Sequence, residues 1–367
     1  MTAFMIAGGG TGGHIFPALA LGEALLEKDP QARVVFVGTR YGMEQHIIPQ
    51  TGRELRYLPM RGLLGKSLWQ KLGLIWRLPV SMLLSLIWIL KLRPRVLVGV
   101  GGYASLPLLI TAALMGRPVV IQEQNAFPGL ANRLLSRWAR VALLGFVEAK
   151  DLLRCPSIDT GNPVRGDFYQ LPDWQENRRQ ILILGGSQGA SCLNEYTPGA
   201  LMRQLESRFS VLHQCGRGHR EAVLKRYENA AFTVEVVEFI DDLPAVLSQT
   251  RCVISRAGAS TISELKAARV PAILVPFARA THDHQTHNAR SLVSLGAAIL
   301  IAESQLVEKL DSALALVNDN GRLSDMAASF QGTPDNSSAL CAEVILAVAR
   351  GESLSTYLER ADHVSQD

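Results

Sequence analysis

The sequence predicts an α/β protein built as two similar halves, each a parallel sheet flanked by helices. Three observations point there. Short, wholly apolar runs recur along the chain and are separated by stretches of helical spacing, the pattern of buried parallel strands alternating with helices. A glycine-rich turn closes the first of these runs, and the same order of strand, glycine turn and helix restarts near residue 181. At 367 residues, 48% of them hydrophobic, the chain can fill two cores.

Phe4-Met5-Ile6-Ala7 reads as the first strand and leads into Gly8-Gly9-Gly10-Thr11-Gly12-Gly13-His14. A helix over Ile15 to Glu27 follows, with Pro17 in its first turn. Such a turn offers backbone N–H groups to a phosphate at a helix N-terminus, and His14 stands at its mouth as a titratable group or as a cap. Arg33 to Val37 is the second strand. It ends in Gly38-Thr39-Arg40, without the acid that would hold a ribose in a dinucleotide fold, although Gly8, Gly10 and Gly13 satisfy G-x-G-x-x-G. No Gly-Lys-Ser/Thr follows the glycines, so a P-loop is excluded.

Lys66 to Leu92 sets Lys66, Lys71 and Arg77 among large apolar residues, and Pro79 is expected to break or kink the run. Beyond Pro79 the apolar part covers roughly 20 Å as a helix, short of the roughly 30 Å of a bilayer core. An interfacial helix rimmed by cations and a buried core helix both fit, with membrane contact expected before Pro79 and core after it. A third strand, Arg95 to Val100, ends in a second glycine turn at Gly99 to Gly102. Val119-Val120-Ile121 is another strand. The polar run Gln122-Glu123-Gln124-Asn125 lies at its carboxyl end, which makes Asn125 either a ligand group or a turn residue.

Thr160 to Arg165 reads as a linker turn. Ile181 to Leu184 then opens the second half, followed by Gly185-Gly186-Ser187-Gln188-Gly189, where Ser187 sits near a helix start. Strands follow at Ser210 to His213, Thr233 to Val237, Cys252 to Ser255 and Ile273 to Pro276. The small residues from Ala257 to Ser263 open a helix as an anion or sugar platform, with Glu264 one turn inside, able to accept from a ribose diol. His282, Asp283, His284 and His287 do not form a zinc-ligand pattern. Gln285 and Asn288 suit sugar hydroxyls better, and a polar tail begins at His363.

The charge is uneven. Up to Asn162 there are 18 Lys and Arg against 9 Asp and Glu, and beyond it 19 against 24. The first half therefore faces something anionic. A membrane surface fits better than nucleic acid, because basic and aromatic residues are not interleaved as in a strand-binding groove. Five dispersed cysteines without a C-x-x-C, and a start without a basic region, lead us to expect a reducing, cytoplasmic setting.

Six stretches occur together in one order: Gly-Gly-Thr-Gly-Gly-His-Ile-Phe-Pro-Ala-Leu-Ala, Glu-Gln-Asn-Ala-Phe-Pro-Gly, Gly-Asn-Pro-Val-Arg, Gly-Gly-Ser-Gln-Gly-Ala, Ser-Arg-Ala-Gly-Ala-Ser-Thr-Ile-Ser-Glu and Asp-His-Gln-Thr-His-Asn-Ala. From Gly8 to about Ala289 the chain resembles the MurG family of bacterial N-acetylglucosaminyltransferases, which make lipid II from lipid I in peptidoglycan synthesis. The resemblance implies a GT-B fold, two Rossmann-like parallel-sheet domains facing a central cleft. It implies an acceptor-binding, membrane-associating domain over 1–162, a UDP-N-acetylglucosamine-binding domain over 163–340, and a helix that packs back with a polar tail over 341–367.

It also implies donor-side contacts. Thr11, Gly12 and Gly13 would lie beside the sugar, Asn125 and Arg165 on the donor, with Arg165 toward the nucleotide and diphosphate, and Ser187 on the diphosphate. The backbone of Ile240 would meet uracil. Ala259, Ser260, Thr261, Ile262, Ser263 and Glu264 would form the platform, with Glu264 on the ribose, and Gln285 would meet sugar hydroxyls with Asn288 beside it. Arg279 and His282 fall where the family varies. The implied partners are UDP-N-acetylglucosamine, lipid I, an anionic cytoplasmic membrane surface at which the protein is peripheral, and cell-wall assembly proteins; no nucleic acid, cofactor or metal is expected. The chemistry would be inverting attack by a muramyl 4-hydroxyl with His14 as base, or His14 as an orienting group. The competing readings are a UDP-N-acetylglucosamine 2-epimerase, another lipid glycosyltransferase, and a membrane-docked sugar-nucleotide-binding module.

Overall fold

The computed structural model describes residues 2–61, 68–186, 189–278, 283–331 and 336–358, with the backbone alone over 68–75. The chain divides into two compact units. One is Met1–Gly166 together with Asn336–Asp367, and the other is Asp167–Asp335.

The first unit follows an almost strict alternation: β1 (Ala3–Ala7), α1 (Gly12–Lys28), β2 (Arg33–Thr39), α2 (Glu44–Gln50), β3 (Glu54–Leu58), α3 (Leu68–Leu92), β4 (Val96–Gly99), α4 (Ser105–Leu114), β5 (Val119–Glu123), α5 (Leu130–Leu135), β6 (Val141–Leu144) and β7 (Ser157–Asp159). All strands are parallel, in the order β3-β2-β1-β4-β5-β6-β7. Alternate residues serve opposite faces, as the two-residue period of a strand requires. Phe4 and Ile6 join Phe36 and Val98 under α1, whereas Met5 and Ala7 join Val37 and Leu97 under α3 and α4. Sheets covered on both sides need continuous apolar strands, so the first, second and fourth strands could be read directly.

The second unit holds α6 (Gly166–Tyr169), which begins at the boundary, then β8 (Gln180–Leu184), α7 (Ser191–Gln204), β9 (Ser210–Gln214), α8 (Arg220–Lys225), β10 (Thr233–Val237), α9 (Leu243–Gln249), β11 (Thr250–Ser255), α10 (Ala259–Ala268), β12 (Ala272–Leu274), α11 (His284–Ser294), β13 (Ala298–Leu300), α12 (Leu306–Leu314) and α13 (Asn320–Ala328). Its sheet is parallel in the order β10-β9-β8-β11-β12-β13. The final helix, α14 (Ser337–Arg350), belongs to the first unit, where Cys341, Val344, Ile345 and Val348 enter the same apolar cluster as α1. Both sheets reverse their winding direction beside the first strand of the unit, which is the Rossmann arrangement expected.

Two readings change. The strands β3, β6, β7 and β13 did not stand out in the sequence, and three of the four are only three or four residues long. Pro79 does not break α3, which runs through it. Contacts with α4 and the complete burial of Ser81, Ser85 and Ile89 hold the helix past the proline. Nor does Pro79 divide a membrane part from a core part. Trp76, before it, is 79% exposed, and Val80, Leu83, Ile87 and Leu90, after it, continue the same exposed apolar stripe at three- and four-residue spacing. Lys66 and the tail from His363 lie outside the described residues, as do the side chains of Leu68 to Ile75. No helix among the described residues is long and apolar enough to cross a membrane.

Candidate functional site

In the first unit, the switch point lies between β1 and β4, and open α/β sheets bind ligands outside the carboxyl ends of such strands. Two glycine turns meet there. Gly102 has φ +79°, and a Cβ on it would come within 2.6 Å of the Gly9 carbonyl oxygen, so the two backbones touch. Gly101, at φ +88°, is the floor for the His14 ring. A Cβ on Gly101 would stand 2.8 Å from His14 Cδ2 and 2.9 Å from Nε2. His14 Nδ1 is 3.4 Å from the Thr11 hydroxyl at the N-cap of α1. Burial lowers the pKa of His14 and the charge of Glu44 raises it, with burial the stronger, so the ring is neutral at pH 7 and able to accept a proton. Gly12 and Gly13 are the first residues of α1, and their N–H groups take no acceptor among the described residues.

An acid does serve this turn, though not from the end of β2. Glu44, the first residue of α2 and fully buried, accepts the Thr39 N–H and hydroxyl at 2.8 Å each through Oε1, and the Gly10 N–H at 2.9 Å through Oε2. The Gly10 N–H is therefore already taken, and the donors this turn can present to a ligand lie further on, at the helix start.

The end of β5 is a buried polar network. Glu123 accepts the Asn125 N–H at 3.0 Å through Oε1, and through Oε2 it accepts the Gly129 N–H at 3.0 Å and Asn132 Nδ2 at 2.9 Å. Burial pushes the Glu123 carboxyl up, and these donors pull it back. Asn125 is thus held from behind by a carboxylate. Gln122 and Gln124 extend the network to Asn162 and to the Val100 carbonyl. The Asn132 side-chain Oδ1 is buried with no partner among the described residues. Arg165 follows Val164, whose N–H and carbonyl both bond the Ser338 hydroxyl at the start of α14.

In the second unit the switch point lies between β8 and β11. Ser187, in the turn after β8, lies outside the described residues. On β9, buried His213 bridges the Tyr227 hydroxyl and Asn194 Oδ1 at 3.0 Å each, and Asn194 Nδ2 donates to the Cys215 carbonyl. After β11, Ala259 to Glu264 form the first turns of α10, capped by the backbone of Gly258. Ser260 Oγ is buried without a partner among the described residues, and Ser263 Oγ donates to the Ala259 carbonyl at 2.9 Å. The Ile262 side chain is 1% exposed and faces inward, while Thr261 and Glu264 are half-exposed. Gln285 accepts the Phe277 N–H at 2.9 Å, which leaves its amide N–H groups for a ligand. Asn288 is buried and reaches the Ala257 carbonyl at 3.4 Å, so it supports the platform from below. Arg256 ties the same region together through the Pro276 carbonyl, Glu303 and the Phe277 ring. Ile240 is half-buried between β10 and the Asp242-capped start of α9. Arg279 and His282 lie outside the described residues.

Among the described residues, those singled out in each unit follow the carboxyl ends of that unit's own strands. Glu44, Glu123, Asn132 and Gly101 were not singled out. A signal for Glu123 existed in its polar run after a buried strand. For Glu44 the signal was three glycines (Gly9, Gly38, Gly42) around one acid, legible only once the turns are folded together.

The chain is 41% identical to the UDP-N-acetylglucosamine–N-acetylmuramyl-(pentapeptide) pyrophosphoryl-undecaprenol N-acetylglucosamine transferase of Syntrophotalea carbinolica, over 89% of this chain and 92% of the relative. It is 41% identical to the enzyme of the same name from Myxococcus xanthus, over 84% of this chain and 83% of the relative. The crystal structure of Acinetobacter baumannii MurG matches with a TM-score of 0.76 at 28% identity, covering 94% of this chain and 99% of that one, so the fold class is GT-B. The glycosyltransferase family 28 N-terminal domain matches residues 4–144 and the family's C-terminal domain matches residues 180–339; the chain belongs to glycosyltransferase family 28.

Proposed function

We propose that this chain transfers N-acetylglucosamine from UDP-N-acetylglucosamine to the 4-hydroxyl of the muramyl sugar of undecaprenyl-diphosphate-linked N-acetylmuramyl-pentapeptide, with inversion, at the cytoplasmic face of an anionic membrane. The observation that carries this reading is the near full-length likeness to transferases of that name. The acceptor belongs to the first unit and the donor to the second. The hydroxyl attacks the anomeric carbon opposite the leaving UDP, through an oxocarbenium-like transition state. His14 takes the hydroxyl proton, a role supported by its neutral, partly buried imidazole beside two glycine turns. Charge developing on the diphosphate is met by the N-terminus of α10, by Ser187 and by Arg165. Glu264 holds the ribose, and Gln285 offers its free amide protons to the sugar.

The exposed apolar stripe of α3 supports membrane docking. Trp76, Leu83 and Leu90 would enter the lipid interface while Arg77, Lys91 and the positive excess of the first 162 residues meet anionic headgroups. The deciding experiment is UDP release from UDP-N-acetylglucosamine with and without a lipid I analogue. We expect release only with the acceptor, and loss of turnover with retained UDP binding in His14→Ala. Interconversion of the donor sugar without any acceptor would assign an epimerase instead.

A further inference from the structure

We infer that Glu44 is a positioning residue for the proton acceptor: its buried carboxylate takes the Gly10 N–H that the first glycine turn would otherwise offer an anion, sets the shape of that turn and of the start of α1 that carries His14, and places a negative charge at the turn. The inference rests on the reading of His14 as the base of the transfer.

The site is built for a carboxylate. Glu44 accepts three hydrogen bonds from two segments that are far apart in the chain from each other, Gly10 on one side and Thr39 on the other. The space around it is vacated by glycines. A Cβ on Gly9, Gly38 or Gly42 would come within 2.5, 2.6 or 2.0 Å of a Glu44 side-chain atom. An amide in its place would turn its NH₂ toward an N–H donor, so glutamine cannot satisfy the same three partners. A carboxylate removed from water is costly unless its charge is compensated or used. No Lys or Arg pairs with Glu44 among the described residues. His14 feels its charge. The Thr11 hydroxyl and Gly101 stand beside the ring, and Asn132 Nδ2 lies 3.8 Å from where a Gly101 Cβ would be; none of the three is charged. The carboxylate therefore offsets part of the loss of basicity that burial imposes on the imidazole, while its hydrogen bonds keep the turn from drifting.

The test uses the full chain with UDP-N-acetylglucosamine and a lipid I analogue. In Glu44→Gln we expect kcat to fall by about 10- to 100-fold, as for a misplaced catalytic group, with UDP affinity within about twofold of wild type. The acid limb of the kcat/KM profile should move to lower pH. The His14 imidazole, followed by NMR and assigned with His14→Gln, should also titrate at lower pH. Glu44→Asp keeps the charge but withdraws the carboxylate, so it should lose kcat with the acid limb near its original place; it carries the test if Glu44→Gln does not fold. Unchanged kcat in either variant overturns the proposal, and so does a lost kcat in Glu44→Gln with an unmoved His14 titration, because Glu44 would then be structural only. Turnover surviving in His14→Gln would instead sink the reading of His14 as base. The NMR titration would still judge the action of Glu44 on the ring by itself.

Discussion

Replacing Gly101 by alanine should separate the cost of a strained backbone from the cost of a displaced His14 ring, the proposed proton acceptor. Gly101 has φ +88°, a region that costs a non-glycine residue roughly 1–2 kcal/mol. The new Cβ would stand 2.8 Å from His14 Cδ2. That is roughly 0.7 Å inside the closest comfortable carbon–carbon contact. Gly101 is joined to Gly102, whose backbone packs on Gly9, whereas the imidazole is the end of a side chain, so the ring gives way. Turning it off its rotamer adds about 0.5–1.5 kcal/mol. Stability should fall by about 2–3 kcal/mol, which lowers Tm by roughly 4–12 °C for a unit of this size. If His14 is the base, as proposed, displacing it by most of an ångström should reduce kcat by about 100-fold while leaving donor binding intact. Gly116→Ala is the control, because Gly116 has φ +66° but nothing within 4 Å of a Cβ. It pays the backbone cost alone. The assay is UDP release at saturating donor, with UDP binding by calorimetry. If Gly101→Ala keeps kcat within about threefold of Gly116→Ala, the ring is not held where the geometry puts it, or its position does not matter.

Three further outcomes are expected. Leu83→Glu on α3 should weaken sedimentation with anionic vesicles by roughly 30-fold or more, since one exposed leucine contributes about 2 kcal/mol when buried in lipid; equal binding by the variant would remove α3 from the docking surface. Arg251 is buried under Trp174 and Phe209 and donates to the Val317 and Glu176 carbonyls at 2.7 and 2.9 Å. Arg251→Met should cost the second unit about 2–4 kcal/mol by orphaning those acceptors, seen as a lower urea midpoint for that unit. Burial holds His213 down at about 4, against 6.5 when unfolded. The folded state therefore resists protonation, and its stability is intact above pH 6.5 and falls as the pH drops toward 4. By pH 4.5 the loss should reach about 2–3 kcal/mol, and it should vanish in a folded His213→Gln variant; a pH-independent wild-type midpoint would contradict this.

What was legible in the sequence follows from how far each signal travels along the chain. Strands β1, β2, β4 and β8 are buried on both faces, so their apolar character is continuous and local. The glycine turns that follow β1, β4 and β8, and the start of α10, are likewise local, and His14 was visible as the titratable group beside one of them. Glu44 was not, because its three donors come from residues 10 and 39 and its cradle from residues 9, 38 and 42. No window of sequence contains that arrangement. Pro79 misled for the opposite reason. A local breaker was overridden by burial of Ser81, Ser85 and Ile89, which only the packing of α3 reveals. The amides of Gln285 and Asn288 illustrate a third limit. Both are polar residues on one helix, yet one is half-exposed and the other fully buried.

The return of α14 to the first unit sets a timetable for synthesis. Cys341, Val344, Ile345 and Val348 cover apolar surface shared with Leu21, Leu25 and Phe36, and they leave the ribosome only after all of 167–335. At about 5–20 residues per second, that wait is roughly ten to thirty seconds. The second unit has its whole sequence before the first does, although the first is begun earlier. A messenger cut anywhere before the codon for residue 336 would thus release a nascent chain with an uncovered greasy flank, a client for chaperones and proteases rather than a functional half-enzyme.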